Sequence, residues 1–149
     1  MKGRILVWPL AVLLVLALVG QTVRRDDRLT AGRLLARVEG LTMAAVRQGS
    51  APRGLLGANL DALKQAAALD PLEVGVPIAR GSQYLIFGDP DLAIESYQAA
   101  AALEPRPEIY LNLGRAQLSA RRVEEARRSF ALAVRLDPRL ASAVPLEAR

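Results

Sequence analysis

The side chains in this sequence that could do chemistry are few, and they are carboxylates and arginines. Asp89 and Asp91 are two residues apart and Glu124 and Glu125 are adjacent, so either pair could suggest a metal site or acid-base catalysis. Surface and turn positions explain both pairs better, because neither has a third ligand within reach. The sequence contains no Cys and no His, which removes thiolate chemistry and the usual general base. We therefore expect no metal, no cofactor and no enzymatic activity.

The stretch RRVEEARR, residues 121–128, is basic. It has no aromatic side chain between the arginines on which a base could stack. Glu124 lies four residues before Arg128, a spacing that predicts an ion pair on a helix surface. A solvated helix face is the better interpretation, and we expect no nucleic-acid partner.

An uncharged, apolar run near the start of the chain predicts a transmembrane helix. It covers residues 5–23, between Lys2 and Arg4 on one side and Arg24 and Arg25 on the other. A helix of that length measures about 28 Å, close to the roughly 30 Å of a hydrocarbon core. The basic start of the chain, followed by an acidic middle, also favours membrane proximity. We expect an uncleaved signal anchor and a single-pass membrane protein.

Two questions about this segment stay open. Cleavage after Thr22, with Gly20 two positions earlier, would instead release a secreted periplasmic repeat protein that acts as an assembly factor or chaperone. Basic residues on both flanks compete to set the orientation. The short basic head before an apolar run favours a repeat domain outside the cytoplasm.

A repeated pattern occupies the rest of the chain. Ala-x-x-Leu-acid-Pro occurs as AAALDP at 66–71, as AAALEP at 100–105 and, loosened, as AVRLDP at 133–138. The prolines are therefore 34 and 33 residues apart, a period that predicts tandem helix pairs. Aromatic residues make up only 4%, which favours close-packed helices over a sheet. The abundance of alanine and arginine is typical of a GC-rich bacterial genome.

Apolar residues at spacings of three and four indicate the individual helices. Leu34, Val38, Leu41 and Ala45 form one stripe, and the sequence APRG at 51–54 separates it from a second helix that stops at Pro71. The same pattern predicts four more helices, at about 76–87, 90–103, 107–120 and 122–136.

Residues 107–138, PEIYLNLGRAQLSARRVEEARRSFALAVRLDP, resemble a tetratricopeptide repeat. The residues that match the family pattern are Tyr110, Leu113, Gly114, Ala126, Phe130, Ala133 and Pro138. Residues 74–105 resemble a second unit through Gly81, Tyr84, Ala93, Tyr97, Ala100 and Pro105. Gln117 stands where the family usually has an aromatic residue, which predicts a weaker packing contact. Pro77 and Arg80 replace an aromatic residue and a leucine, so we expect the first helix of this second unit to be short and loosely packed.

The resemblance implies an all-α fold, a short α-solenoid of about three helix-turn-helix repeats after the N-terminal transmembrane helix. We expect Gly81 and Gly114 at tight crossings between paired helices. The predicted segments are the anchor at 1–25, a degenerate repeat at 26–73, two repeats at 74–106 and 107–138, and a tail at 139–149 that partly caps the last hairpin.

In tetratricopeptide proteins the first helix of each repeat lines a concave surface that binds extended peptides or partner helices. The resemblance therefore implies a groove lined by Ile78, Ser82, Leu85, Leu111, Asn112, Arg115 and Leu118. Packing between repeats is an equal alternative for the leucines, while Arg115 favours the groove because an unpaired charge is rarely buried. We expect a protein or peptide partner, held near the bilayer. The apolar C-terminal edge leaves a homo-oligomer open.

Overall fold

The computed structural model describes residues 7–49 and 52–148, and this part of the chain is helical. Each helix packs against the next, so that three antiparallel hairpins stack side by side. The predicted all-α repeat solenoid is confirmed. The helices are α1 (Val7–Arg47), α2 (Arg53–Leu69), α3 (Gly75–Phe87), α4 (Pro90–Leu103), α5 (Pro107–Ser119) and α6 (Val123–Leu136), followed by 3-10 turns at Pro138–Ala143 and Leu146–Ala148.

The two helices of each complete repeat cross at a glycine. A Cβ atom added to Gly81 would lie 2.8 Å from Cε1 of Tyr97, and one added to Gly114 would lie 2.6 Å from Cε1 of Phe130. Both rings are buried, and each fills the space that a side chain on the facing helix would need. The predicted tight crossings are therefore confirmed.

The first helix of the middle repeat is neither short nor loosely packed, contrary to the prediction. It contains 13 residues, as many as α5. Pro77 is buried at the third position of α3, where its missing N–H costs nothing because the first amides of a helix have no partner within it. Arg80 stays at the surface, and its Nε–H donates to Oγ of Ser96 over 3.2 Å.

α1 is a single helix of 41 residues, and it continues through the boundary predicted between residues 25 and 26. Its buried residues Ala31, Val38 and Ala45 are seven apart and lie in its second half, which packs against α2 and α3, whereas the described side chains from Val12 to Val19 are exposed. Leu41 was predicted to join this stripe, but it is 42% exposed. It is rotated about 60° from Val38, whereas Thr42 is rotated only about 40° in the other direction and takes its place.

The predicted membrane span at residues 5–23 lies partly outside the described residues. Within the described part of the chain, no helix combines the length and the apolar character needed to cross a membrane.

Buried polar side chains join α1, α2 and α3. Nδ2 of Asn59 donates to Oε1 of Gln83 over 2.9 Å, and Nε2 of Gln83 donates to the Thr42 hydroxyl over 2.7 Å. Asn59 also donates to Thr42 over 3.1 Å, and the Thr42 hydroxyl donates to the carbonyl of Val38 over 2.7 Å. These bonds hold the degenerate first hairpin against the middle repeat.

An arginine pairs with the acidic residue of each acid-Pro turn. In the second and third turns the arginine directly follows the proline, and its hydrogen bond lowers the pKa of the carboxyl group. In the first turn that position is Leu72, and the arginine comes from α1 instead. The three pairs are Arg28 with Asp70 at 3.4 Å, Arg106 with Glu104 at 2.5 Å and Arg139 with Asp137 at 3.0 Å.

The tight crossing at Gly114 predicts that a Gly→Ala substitution there and one at an open position change the free energy of unfolding in opposite directions. We expect Gly114→Ala to lower the free energy of unfolding by about 1–3 kcal/mol, because the new methyl group overlaps Phe130. Gly57 lies in α2, and an added Cβ meets nothing within 4 Å, so Gly57→Ala should raise this free energy by about 0.5–1 kcal/mol. Urea unfolding followed by circular dichroism measures both. Equal losses at the two positions would contradict a tight crossing at Gly114.

The buried polar network can be tested with two glutamines. Gln83→Leu should cost about 1–3 kcal/mol of unfolding free energy, because it removes one hydrogen bond that Asn59 donates and one that the Thr42 hydroxyl accepts, both in a buried setting. Gln98 is exposed on α4, so Gln98→Leu is the matched control and should change little. The network contributes nothing specific if the two variants unfold at the same urea concentration.

Candidate partner-binding surface

The structure places the predicted groove residues in different environments. Arg115 is exposed, and the polar residues Ser82 and Asn112 are half-buried. Ile78 and Leu85 are half-buried and pack against the core of the middle repeat. The remaining two are Leu118, half-buried against the C-terminal core, and Leu111, which is fully buried there.

Leu111 is a core residue, contrary to its assignment to the groove. It is 7% exposed and belongs to a cluster that includes Phe130 and Val144. The chain turns back after α6 and places its two 3-10 turns against that helix, so the last repeat is covered where an open groove was expected. The alternative of packing between elements holds for this leucine.

The hydroxyl group of Tyr97, on α4, lies against α3. It is 3.0 Å from Oγ of Ser82, which also donates to the carbonyl of Ile78 over 3.1 Å. Burial raises the pKa of Tyr97, while the hydrogen bond with Ser82 and the nearby Arg115 guanidinium offset part of that rise. Ser82 follows Gly81 and Arg115 follows Gly114, so both glycine crossings direct a polar side chain to this surface.

Arg115 is the charged group of this surface. Its Nη1 donates to Oδ1 of Asn112 over 3.3 Å, one turn earlier on α5. A guanidinium has five N–H donors in a planar arrangement that matches a carboxylate, so this bond leaves capacity for a ligand. We call Ser82, Tyr97, Asn112 and Arg115 the polar site. Its chemistry suits recognition of an anionic or hydrogen-bonding group.

Of the carboxylate pairs singled out in the sequence, Asp91, Glu124 and Glu125 form ion pairs at the surface. Asp91 contacts Arg122 at 2.6 Å. Glu124 contacts Arg127 at 3.5 Å and not Arg128 as predicted. Among residues 7–49 and 52–148, no three or more acidic side chains come close enough to hold a metal ion.

A second concave surface lies at the end of the stack, between α6 and the C-terminal segment. It has a volume of about 520 Å³ and is mainly apolar. Phe130 lies on its wall at the position that Tyr97 occupies in the middle repeat, where α5 covers the equivalent face. Its lining residues are Arg127, Phe130, Ala131, Val134, Ala141, Val144 and Ala148.

The repeat pattern of the sequence predicts a packing role for Tyr97 and indicates no role for Thr42, Asn59 and Gln83, the residues of the buried polar network. One available signal is that Tyr97 and Phe130 occupy equivalent positions, and a buried tyrosine usually needs a partner for its hydroxyl group. Asn59 and Gln83 lie in apolar stripes at helical spacing, and a polar residue in such a stripe also requires a partner.

Comparison with known proteins agrees with the geometry. A family model described as tetratricopeptide repeat matches residues 107–140. The crystal structure of TTC0263, a thermophilic TPR protein of Thermus thermophilus, is 30% identical, with a TM-score of 0.67, over 87% of this chain and 75% of that one. No curated protein matches the sequence. The chain belongs to the tetratricopeptide repeat family.

More distant structures share the fold. The first TPR of Spaghetti (RPAP3), bound to the HSP90 peptide SRMEEVD, is 21% identical with a TM-score of 0.66, over 78% of this chain and 89% of that chain. The Arabidopsis OM64 TPR domain is 18% identical with a TM-score of 0.65, over 78% of this chain and 90% of that one.

The burial of Tyr97 predicts how stability changes in alkali. Its pKa is raised on folding, so the stabilising preference for the neutral phenol is complete below about pH 10 and is lost as the pH rises from there through the folded value. Absorbance of tyrosinate against pH should show a late step that Tyr97→Phe removes. The variant should also lose less unfolding free energy between pH 9 and pH 11, values chosen to lie about one unit on either side of the ordinary pKa. A Tyr97 that ionises below pH 10 in the folded chain would contradict its burial.

Proposed function

We propose that this protein is a membrane-anchored scaffold that binds a protein or peptide partner at the polar site. The grouping of the exposed Arg115 with the half-buried Ser82 and Asn112, above the buried hydroxyl group of Tyr97, carries the proposal, because it places a cation beside neutral hydrogen-bonding groups at the surface. The mechanism is binding without catalytic turnover. Rigid packing at the glycine crossings presents these groups in a fixed arrangement, which reduces the entropy cost of binding.

An acidic segment is the partner that best fits this surface. Arg115 can form paired hydrogen bonds with a carboxylate, and Ser82 and Asn112 can bond to the backbone of an extended chain. The similar fold of RPAP3 holds SRMEEVD, a peptide with three acidic residues. Because Leu111 is covered, the site of this chain is short, and we assign to it one anionic contact and not an extended groove.

The apolar half of α1 supports the anchor. The large apolar side chains described from Val12 to Val23 are each more than half exposed, on every face of the helix. An exposed apolar surface of this extent needs a cover, and lipid covers all faces of a helix at once. The anchor at residues 5–23 raises the concentration of the scaffold near partners in the same membrane.

The repeat domain lies outside the cytoplasm in this proposal, in keeping with the basic head that precedes the apolar run. The alternative of a secreted periplasmic factor requires cleavage after Thr22. The mass of the mature chain separates the two, because cleavage removes residues 1–22 and with them all of the apolar run except Val23.

Selection from a random peptide library tests the binding site. Full-length protein in lipid nanodiscs should enrich peptides with acidic residues, because Arg115 supplies an exposed cation. Arg115→Glu should abolish that enrichment and favour basic residues instead. Reversal of a single charge changes the selected sequences only if this residue contacts the ligand.

Arg128→Glu is the matched control. Arg128 is also an exposed arginine, but it lies on α6, away from the polar site, and its reversal should leave the selected sequences unchanged. The proposed site is wrong if both variants select the same peptides as the original chain, or if Arg128→Glu alone changes them.

A further inference from the structure

The first acid-Pro turn, between α2 and α3, lies beside the point where α1 enters the repeat domain. Asp70 of this turn pairs with Arg28 of α1, at 3.4 Å between Oδ2 and Nε. The Asp70 side chain is mostly buried, and its Oδ1 accepts a hydrogen bond from the Leu72 N–H over 3.3 Å. One carboxylate thus connects α1 to the turn and shapes the turn.

The connection places this turn close to the apolar run of α1. Arg28 is five residues after Val23, where the apolar run ends, and α1 is helical throughout this stretch. Five residues of helix span about 7.5 Å. The polar headgroup layer of a bilayer is roughly 5–8 Å deep on each side, from about 40–45 Å in total and about 30 Å of hydrocarbon. At Asp70 the turn therefore reaches the outer limit of the headgroup layer when the apolar run is in the hydrocarbon.

Leu72 is the most exposed apolar residue of this turn. It is 74% exposed and stands where the other two acid-Pro turns carry arginine. Single exposed leucines are ordinary on protein surfaces. This one differs because its turn is fixed to the helix that carries the apolar run.

We propose that the turn from Asp70 to Val74 is a second membrane contact, with Leu72 inserted among the headgroups of the bilayer that holds α1. The inference rests on the proposed anchor and adds to it an orientation for the repeat domain. Lipid is favoured over a protein partner because the turn lies next to the apolar run of α1. In addition, Arg24, Arg25 and Arg28 lie between the apolar run and the turn, at the level of the headgroups.

The same geometry predicts that contact with lipid weakens from the first acid-Pro turn to the later ones. The second and third acid-Pro turns lie on the same edge of the solenoid, next to the exposed residues Leu103 and Leu136. Paired helices cross at an angle of roughly 20°, so each successive repeat tilts further from the axis of α1. Contact with lipid should therefore be strongest at Leu72 and weaker at Leu103.

Fluorescence quenching by labelled lipid tests the proposal. The chain has no Cys, so a single cysteine can carry an environment-sensitive dye at any chosen position. The dye on full-length Leu72→Cys, in vesicles of phosphatidylcholine and phosphatidylglycerol, should be quenched by lipids that carry a spin label near the headgroup. We expect its fluorescence to fall by roughly twofold or more. Leu103→Cys should be quenched less.

Leu92→Cys is the matched control. Leu92 and Leu103 are both on α4 and both 42% exposed, but they lie eleven residues apart at opposite ends of the helix, so Leu92 faces away from the membrane. Quenching at Leu72 no greater than at Leu92 overturns the inference. Arg28→Ala should reduce quenching at Leu72, because it releases the turn from α1.

Leu16→Cys reports on the anchor separately, because Leu16 lies within the apolar run. Quenching at Leu16 by lipids labelled deep in the chain, without quenching at Leu72, keeps the proposed anchor and overturns the second contact. Failure of quenching at Leu16 overturns the anchor, and the inference with it.

Discussion

The close approach of a glycine to an aromatic ring determines how each complete repeat is built. At Gly81 and Gly114 the absence of a side chain lets Tyr97 and Phe130 lie against the facing helix. The ring then fixes the distance between the two helices, and the helices fix the turns that begin and end the repeat. Repetition of this one contact 33 residues later builds the hairpin of α5 and α6 in the same way as the hairpin of α3 and α4. Tandem stacking follows because each hairpin leaves an apolar face that its neighbour covers.

The first hairpin is stabilised differently, and this explains its weak resemblance to the repeat pattern. Its contact with α3 uses the buried hydrogen bonds of Thr42, Asn59 and Gln83. Hydrogen bonds are directional, so they also specify one rotation of α1 about its axis. That rotation matters more here than elsewhere, because α1 carries the apolar run and its rotation fixes how that run is oriented relative to the repeats.

The sequence predicted the elements that depend on local rules and missed those that depend on distant partners. Proline spacing and glycine positions predicted the helices and the two crossings, because these residues restrict the backbone or the packing wherever they occur. Leu111 could not be assigned, since its burial depends on how the tail folds back over α6. The pair of Arg28 and Asp70 spans 42 residues, and no local pattern indicates it.

Packing also limits where this domain can bind a partner. Residues at the glycine crossings and in the apolar stripes cannot change without loss of stability, whereas the residue that follows each crossing glycine is half-buried or exposed. The chain has Ser82 at one such position and Arg115 at the next, 33 residues later. The C-terminal segment covers the last repeat and shortens the surface that remains. At the proposed polar site few contacts are available, so the exposed charge of Arg115 would carry a larger share of the discrimination between partners than in a longer groove.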